Sequence, residues 1–167
     1  MELLRRHATA TAHFARILTK YTSLESEFAF MGGLMHDVGI AGTLLALSES
    51  KGRRKSPPDL ISIWPAVERV HQRAGELMAK HWELPADIQL AIANHHQVMV
   101  AGHAHPLAAA VALSNEMAHF FGLGILPKEG AALEQLSEAE ADCLRSYTTL
   151  DKTGAKTLVQ AREALSL

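Results

Sequence analysis

Histidines on inward helix faces constrain this chain more than any other feature of its sequence. Five of the ten histidines fall on or beside the apolar faces of four different predicted helices: His7, His36, His71, His95 and His96. A buried imidazole needs a partner for each ring nitrogen. Several imidazoles that meet in one place satisfy each other only if something electropositive lies between them. The fold must therefore bring these helices together, and a metal ion is the simplest occupant.

The composition is that of one domain, residues 1–167, with its own core. With 48% hydrophobic residues, the chain can bury roughly two-thirds of the surface that it exposes when unfolded. Sixteen Lys and Arg against eighteen Asp and Glu leave no large field that would attract nucleic acid or an anionic membrane. No apolar run approaches the ~18 residues that cross a bilayer. We therefore expect a cytoplasmic protein without nucleic acid or membrane as a partner.

Apolar residues recur at helical spacing through the first third of the chain. The spacing predicts a first helix from Glu2 to about Lys20. A second helix is expected to begin near Thr22, because Thr22 and Glu25 have the form of a capping box. Three glycines then mark close packing and the exit from this helix: Gly32, Gly33 and Gly39.

The rest of the chain also has a helical pattern. Prolines suit three helix starts. We expect Pro65 in the first turn of one helix. Pro85 is expected to open a helix that ends at His95 and His96, and Pro106 to open one that runs to Phe121. Residues 51–59 are locally basic and predict an exposed loop. Two short helices are expected last, one from Ser137 and one over residues 154–165, and the single Cys143 is interpreted as core packing. Because no strand pattern is present, the predicted fold class is all-α.

Asp37 supplies the carboxylate that a histidine cluster needs for hydrolytic chemistry. A carboxylate that follows His36 at a helix end can bridge two cations while imidazoles complete the ligand sets. With two cations ~3.5–4 Å apart, such a site binds a phosphoryl oxygen and activates water for in-line attack. Imidazole and carboxylate suit iron, manganese, nickel, cobalt or zinc, and we expect one or two such divalent ions.

Alternatives remain open for the individual histidines. A single histidine on an apolar face is commonly a hydrogen-bonded core residue. His95 and His96 are adjacent and diverge by roughly 100° on a helix, so both reach one site only from the helix end, where His96 could instead act as a cap. Four further histidines are interpreted as surface or packing residues: His81, His103, His105 and His119.

The string from Phe30 to Gly39, FMGGLMHDVG, resembles the signature of the HD superfamily of metal-dependent phosphohydrolases. The resemblance is closer to the HDOD branch, the HD-related output domains of bacterial signalling proteins. It extends through the segment from His71 to Leu77, the Trp82-Glu83-Leu84-Pro85 segment and the paired His95 and His96. Residues 3–121 are covered and form the expected motif-bearing core, with C-terminal helices over residues 122–167.

The resemblance implies a single HD-type bundle of about seven or more helices and a ligand set on named positions. His7 corresponds to the first-helix histidine, His36 and Asp37 to the HD pair, and His71 to the next ligand. His95 and His96 correspond to the double histidine of the related HD-GYP phosphodiesterases. The final metal-binding aspartate of catalytic HD enzymes is replaced by Asn115, which is a neutral and weaker ligand.

Two functions follow, and the sequence favours neither over the other. The first is a metal-dependent phosphohydrolase that acts on a phosphoester such as a nucleotide or cyclic dinucleotide, with Asp37 bridging the metals. The second is a non-catalytic output or scaffold domain that binds a signalling protein or a small ligand. Asn115, and Ile40 where HD-GYP enzymes carry a lysine, each remove a charge that hydrolysis would use. A bundle whose histidines are only packed and hydrogen-bonded is the third possibility.

Overall fold

The computed structural model describes residues 1–49, 59–96, 99–100 and 103–126. This part of the chain contains a two-residue β-ladder and six α-helices: α1 Glu2–Leu18, α2 Ser26–Met35, α3 Val38–Glu49, α4 Leu60–His81, α5 Ala86–Asn94 and α6 Pro106–Phe120. A 3-10 turn, Thr19–Tyr21, extends α1. The all-helical class is confirmed, whereas the expected count of seven or more helices is not.

The β-ladder is a small departure from the prediction that the chain has no strands. Strand β1, Met99–Val100, pairs antiparallel with β2, His103–Ala104. Four predicted features lie outside the described residues: the predicted basic loop except for its last residue, Asp59; Cys143; and the two C-terminal helices. The structure therefore neither supports nor contradicts them.

Helix α2 begins later than its sequence pattern predicts. Glu25 is the N-cap residue but its side chain makes no capping hydrogen bond. The Thr22 hydroxyl accepts a hydrogen bond from the Leu24 amide at 3.2 Å. Such a local side-chain turn competes with helix formation. The predicted capping box was therefore wrong, and the helix starts at Ser26.

A two-residue turn, His36 and Asp37, separates α2 from α3, a helix that the sequence analysis missed. Gly39 was expected to mark an exit from helical structure, but it lies in the first turn of α3. The overlooked signal is the spacing of Ile40, Leu44 and Leu47, which all pack in one cluster beside α4. The turn holds His36 and Asp37 between two packed helices.

Helix α4 begins before Pro65 rather than near it. Asp59 is the N-cap residue, and its side chain accepts a hydrogen bond from the Ser62 amide at 3.3 Å. Pro65 therefore lies inside the helix, so placing it in the first turn was wrong. The other two proline assignments are confirmed, because Pro85 is the N-cap of α5 and Pro106 opens α6.

Two glycines allow helices to approach at backbone distance. A Cβ on Gly33 would lie 2.7 Å from the Cα of Ala12, so α2 rests directly on α1. A Cβ on Gly39 would overlap the His71 carbonyl and the Gly75 amide, so α3 rests directly on α4. Gly33 lies three residues before His36, and Gly39 lies two residues after Asp37. The expected close packing is confirmed at both glycines.

The core surrounds these contacts. Phe14 and Leu18 of α1 pack against Leu113 and Met117 of α6. A second cluster joins α5 to α6 through Ile88, Ile92, Leu107 and Val111. A third joins Ile40 of α3 to Val67 of α4 and to Ile125. His7, His36, Asp37, His71 and His95 are buried within the same bundle.

Helices α2 and α3 together are long and apolar enough, by composition, to cross a membrane. This segment, Ser26–Glu49, spans 24 residues, whereas the sequence analysis found no apolar run of such length. The turn at His36 and Asp37 interrupts it with two buried polar side chains. α2 packs on α1 and α3 packs on α4. We interpret the segment as two core helices.

We predict that Gly39→Ala lowers the free energy of unfolding by about 1–3 kcal/mol, because the methyl group would force α3 away from α4. Gly42→Ala in the same helix is the matched control, since a Cβ there meets only the flexible end of Met78. The control should be neutral or more stable by up to about 1 kcal/mol. Urea denaturation measures both, and equal stabilities for the two variants would contradict the close contact.

Candidate metal centre

Asp37 lies at the centre of four buried imidazoles. Its Oδ2 atom is 3.2 Å from His36 Nε2 and 3.5 Å from His7 Nε2. Its Oδ1 atom is 3.3 Å from His95 Nε2 and 3.5 Å from His71 Nε2. The two carboxylate oxygens therefore face two different pairs of histidines, which come from α1, the α2–α3 turn, α4 and the end of α5.

The other ring nitrogen of each imidazole is committed to the backbone. His36 Nδ1 lies 2.7 Å from the Gly33 carbonyl, His71 Nδ1 lies 2.7 Å from the Glu68 carbonyl, and His95 Nδ1 lies 2.8 Å from the Ile92 carbonyl. His7 Nδ1 lies 3.1 Å from the carbonyl of Leu123, just beyond α6. A carbonyl only accepts hydrogen bonds, so each Nδ1 carries a proton and donates. The Nε2 atom of each neutral imidazole is therefore left with its lone pair.

Lone pairs that point at each other and at a carboxylate need a cation between them. His71 Nε2 lies 3.1 Å from His95 Nε2 and 3.2 Å from His96 Nε2. Two imidazole nitrogens that each bind one ion at ~2.1 Å are separated by roughly 3.0–3.4 Å at ordinary coordination angles. The Nε2 atoms of His7 and His36 are buried and have no hydrogen-bond partner among the described residues. The residues present thus fit a bound metal.

Protonated imidazoles would be the other way to balance the site, but burial opposes them. Burial lowers the pKa of His71. His96 is exposed at the rim, but its ring packs against those of His95 and His71, and partial desolvation there, together with the neighbouring His95, lowers its pKa to about 3. Burial would raise the pKa of Asp37, but its interactions with His36, and then with His7 and His95, outweigh burial and hold the pKa well below its usual value. The carboxylate of Asp37 is therefore ionised, and burial disfavours the protonated forms of His71 and His96.

The ligand atoms form two adjacent groups that could each hold a metal ion. One comprises His7, His36 and Asp37, and the other comprises His71, His95 and His96. Within each group the possible ligand atoms all lie within 4.8 Å of one another. Asp37 contacts both groups, because its Oδ1 atom also reaches His71 and His95. This arrangement is suited to two ions that share one carboxylate.

His95 and His96 follow the end of α5, as the sequence predicted for residues that must face one site. His95 is fully buried, whereas His96 is exposed at the rim. Both Nε2 atoms nevertheless approach that of His71. Adjacent residues can converge here because the helix ends at Asn94.

Asn115 and a cavity of about 200 Å³ complete the site. The cavity lies beside Asp37, His71 and His96, and Asn115 lines it from α6. Asn115 is buried, and its Oδ1 atom has no hydrogen-bond partner among the described residues. An orphaned amide oxygen is an acceptor for a cation or for a ligand hydrogen. The structure thus brings all seven predicted site residues to one place.

Sequence reasoning missed three polar or aromatic residues that line the cavity: Trp64, Glu68 and His119. His119 was interpreted as a surface or packing residue, but its ring centroid lies 5.0 Å from that of His7. The available signal was its position one helical turn after Asn115. The other described surface assignments agree with the structure. His81 is exposed, and His105 accepts a hydrogen bond from the Ala108 amide at the start of α6.

Comparison with known families identifies the chain. The model of the HDOD domain matches residues 1–98, which is more than half of the chain. The chain belongs to the HDOD family. The match includes the HD pair, His71 and the paired histidines, so the HDOD resemblance of the sequence is confirmed.

A solved HDOD structure supports the same fold. It is the crystal structure of an HDOD domain protein of unknown function from Geobacter sulfurreducens, which is 18% identical and superposes with a TM-score of 0.55. The alignment covers 98% of this chain and 63% of that chain, so the present chain spans less than two-thirds of the solved protein. No curated protein matches the chain at a significant level.

We predict that a chelator lowers the melting temperature of the metal-loaded domain. A cation at 100 times its Kd stabilises the folded state by about 2.7 kcal/mol, which corresponds to roughly 5–11 °C for a chain of this size. Differential scanning fluorimetry with and without EDTA measures the shift. His81→Ala should retain it, because His81 is exposed and remote from Asp37, whereas His36→Ala should lose it. The same EDTA shift in both variants would contradict the assignment.

Proposed function

We propose that this HDOD domain binds two divalent cations, one on each side of Asp37, and hydrolyses a phosphoester at that site. The observation that carries the proposal is the convergence of four imidazole Nε2 atoms on the two oxygens of one buried carboxylate. Paired cations that share a carboxylate are the arrangement of two-metal hydrolytic sites.

Each residue has a distinct part in this proposal. His7 and His36 would hold one ion, and His71, His95 and His96 would hold the other. Asp37, whose oxygens contact histidines of both groups, would serve both ions and offset part of their charge. Iron, manganese, nickel, cobalt and zinc all accept imidazole and carboxylate ligands. Such ions would supply Lewis acidity and activation of water for phosphoester hydrolysis.

The backbone hydrogen bonds of the histidines support this chemistry from outside the ligand set. Each Nδ1–H group that donates to a carbonyl fixes the ring orientation and raises the basicity of the opposite nitrogen. The cavity beside His96 and Asn115 then gives a phosphoryl group access to the exposed side of the centre. Asn115 offers its Oδ1 atom where a carboxylate would bind a cation more strongly.

We predict that the purified domain, reconstituted with Mn²⁺ or Fe²⁺, cleaves bis(p-nitrophenyl) phosphate or p-nitrophenyl phosphate. Asp37→Ala should abolish turnover and reduce metal content from two ions to one or none per chain, because both ions lose their shared ligand. His81→Ala is the matched control and should keep both properties. Mass spectrometry of the metal content and absorbance of p-nitrophenolate measure the outcome. Unchanged hydrolysis in Asp37→Ala would contradict the proposal.

A substitution series at Asn115 tests the cavity side of the centre. Asn115→Asp should bind metal about ten-fold or more tightly than the wild type, because it restores a charged oxygen ligand of the same length. Asn115→Leu, which has similar volume but no acceptor, should bind metal more weakly than the wild type. Competition with a fluorescent chelator measures the affinities. Three equal affinities would show that Asn115 is not near a metal position.

A second candidate function is a non-catalytic output domain that binds a small ligand or a protein partner. The described cavity residues favour it in one respect, since they include no Lys or Arg to neutralise a transferred phosphoryl group. Calorimetry with a phosphoester, followed by recovery of the compound, separates the two functions. Binding with intact ester recovered would favour the output domain, and cleavage would favour the hydrolase.

We further infer that the domain belongs to a bacterial signalling protein and works in the cytoplasm. The HDOD assignment supports the first inference. The single cysteine supports the second, because it cannot form an internal disulfide and so fits a reducing compartment. A signalling protein is the expected partner under either function.

A further inference from the structure

One face of α4 forms a continuous wall from the metal centre outward. Trp64, Glu68 and His71 are spaced four and three residues apart, so they lie on successive turns of the same helix face. All three line the cavity. With a rise of 1.5 Å per residue, Trp64 lies roughly 10 Å along the helix axis from His71. A ligand whose phosphate lies at the metal centre would therefore extend along α4 towards Trp64.

The outer end of this wall is aromatic and apolar. Trp64 is half-buried and packs against the cluster of Ile40, Val67 and Ile125. The cavity is also lined by Ile40, Ile125 and Leu126. An indole that is supported by the core and still borders a cavity is a rigid surface on which a planar ring can stack.

The size and charge of the cavity limit which ligands can bind in it. The cavity of about 200 Å³ is smaller than the roughly 300–1,000 Å³ of pockets that enclose a drug-sized ligand. Its described lining includes Glu68 but no Lys or Arg. Among the described residues between the metal centre and Trp64, a second phosphate on the ligand would therefore find no cationic side chain. A small ligand with one phosphate is the best match to this wall.

We propose that the ligand of this site is a small phosphomonoester whose organic group carries an aromatic ring, and that Trp64 selects that ring by stacking. The inference rests on the proposed function only in placing the phosphate at the metal centre. Trp64 is a specificity residue in this account. It holds the organic group and takes no part in the reaction at phosphorus.

Two matched esters test the selection directly. Benzyl phosphate and cyclohexylmethyl phosphate have the same spacer and similar leaving groups, but only the first has an aromatic ring. Their dissociation constants for the Mn²⁺-loaded protein are measured by calorimetry, with inorganic phosphate as the probe of the metal end. The wild type should bind benzyl phosphate about three- to ten-fold more tightly than its saturated analogue.

Variants of the two tryptophans test whether Trp64 causes the preference for benzyl phosphate over its saturated analogue. Trp64→Leu should remove it while leaving the affinity for inorganic phosphate unchanged, which also shows that the variant is folded. Trp64→Phe should keep most of the preference because it retains a ring. Trp82→Leu is the control and should keep all of it, since Trp82 caps the far end of α4 and is 46% exposed.

The outcomes separate this inference from the proposed hydrolysis. Equal affinities for the two esters in the wild type, no binding of either ester, or a preference that persists in Trp64→Leu would each overturn the inference. A preference that depends on Trp64, without cleavage of benzyl phosphate, would support the inference and overturn the hydrolysis. Cleavage of both esters, bound with equal affinity, would support the hydrolysis and overturn the inference about Trp64.

Discussion

The hydrogen bonds from histidine Nδ1 atoms to backbone carbonyls are the interactions on which the rest of the site depends. Three of them, from His36, His71 and His95, reach a carbonyl three residues earlier on the same stretch of helix. For His36 and His95, that carbonyl belongs to the last turn of a helix, where carbonyls lack an intrahelical partner. One hydrogen bond thus gives a carbonyl at a helix end its partner and also sets the orientation of an imidazole. The helix ends and the candidate metal site are built from the same contacts.

Close helix packing makes this convergence possible. Gly33 lets α2 rest on the backbone of α1, and Gly39 lets α3 rest on that of α4. The turn between these two contacts carries His36 and Asp37, so its position is fixed from both sides. Burying a carboxylate among imidazoles costs several kcal/mol unless a counter-charge is present. A bundle that holds this group so rigidly is best explained by a cation that stabilises the folded state.

Much of the site could be predicted from the sequence, because its signal is periodic and local. The sequence alone indicated a shared centre, because His7 and His71 lie on inward helix faces and the HD pair lies beside glycines. The sequence also predicted that His95 and His96 reach one site, since adjacent helical residues can converge only at a helix end. The HDOD motif order added the family, which the family model confirms.

Other features could not be predicted, for physical reasons. Helix α3 was missed because Gly39 suggested that helical structure ends there, whereas Gly39 lies inside α3 and serves only the expected close packing. The local hydrogen bond of Thr22 displaced the start of α2, which apolar spacing does not detect. Trp64, Glu68 and His119 lack a motif of their own, and only the packing of α4, α6 and the chain around Ile125 places them around one cavity.

The most direct test of the central claim is anomalous diffraction from crystals of the Mn²⁺- or Fe²⁺-loaded domain, recorded above and below the metal absorption edge. The account predicts two anomalous peaks on opposite sides of the Asp37 carboxylate. One should lie within bonding distance of the Nε2 atoms of His7 and His36, and the other should lie among those of His71, His95 and His96. A fully loaded crystal with no peak at Asp37, or with ions bound only elsewhere, would contradict the account.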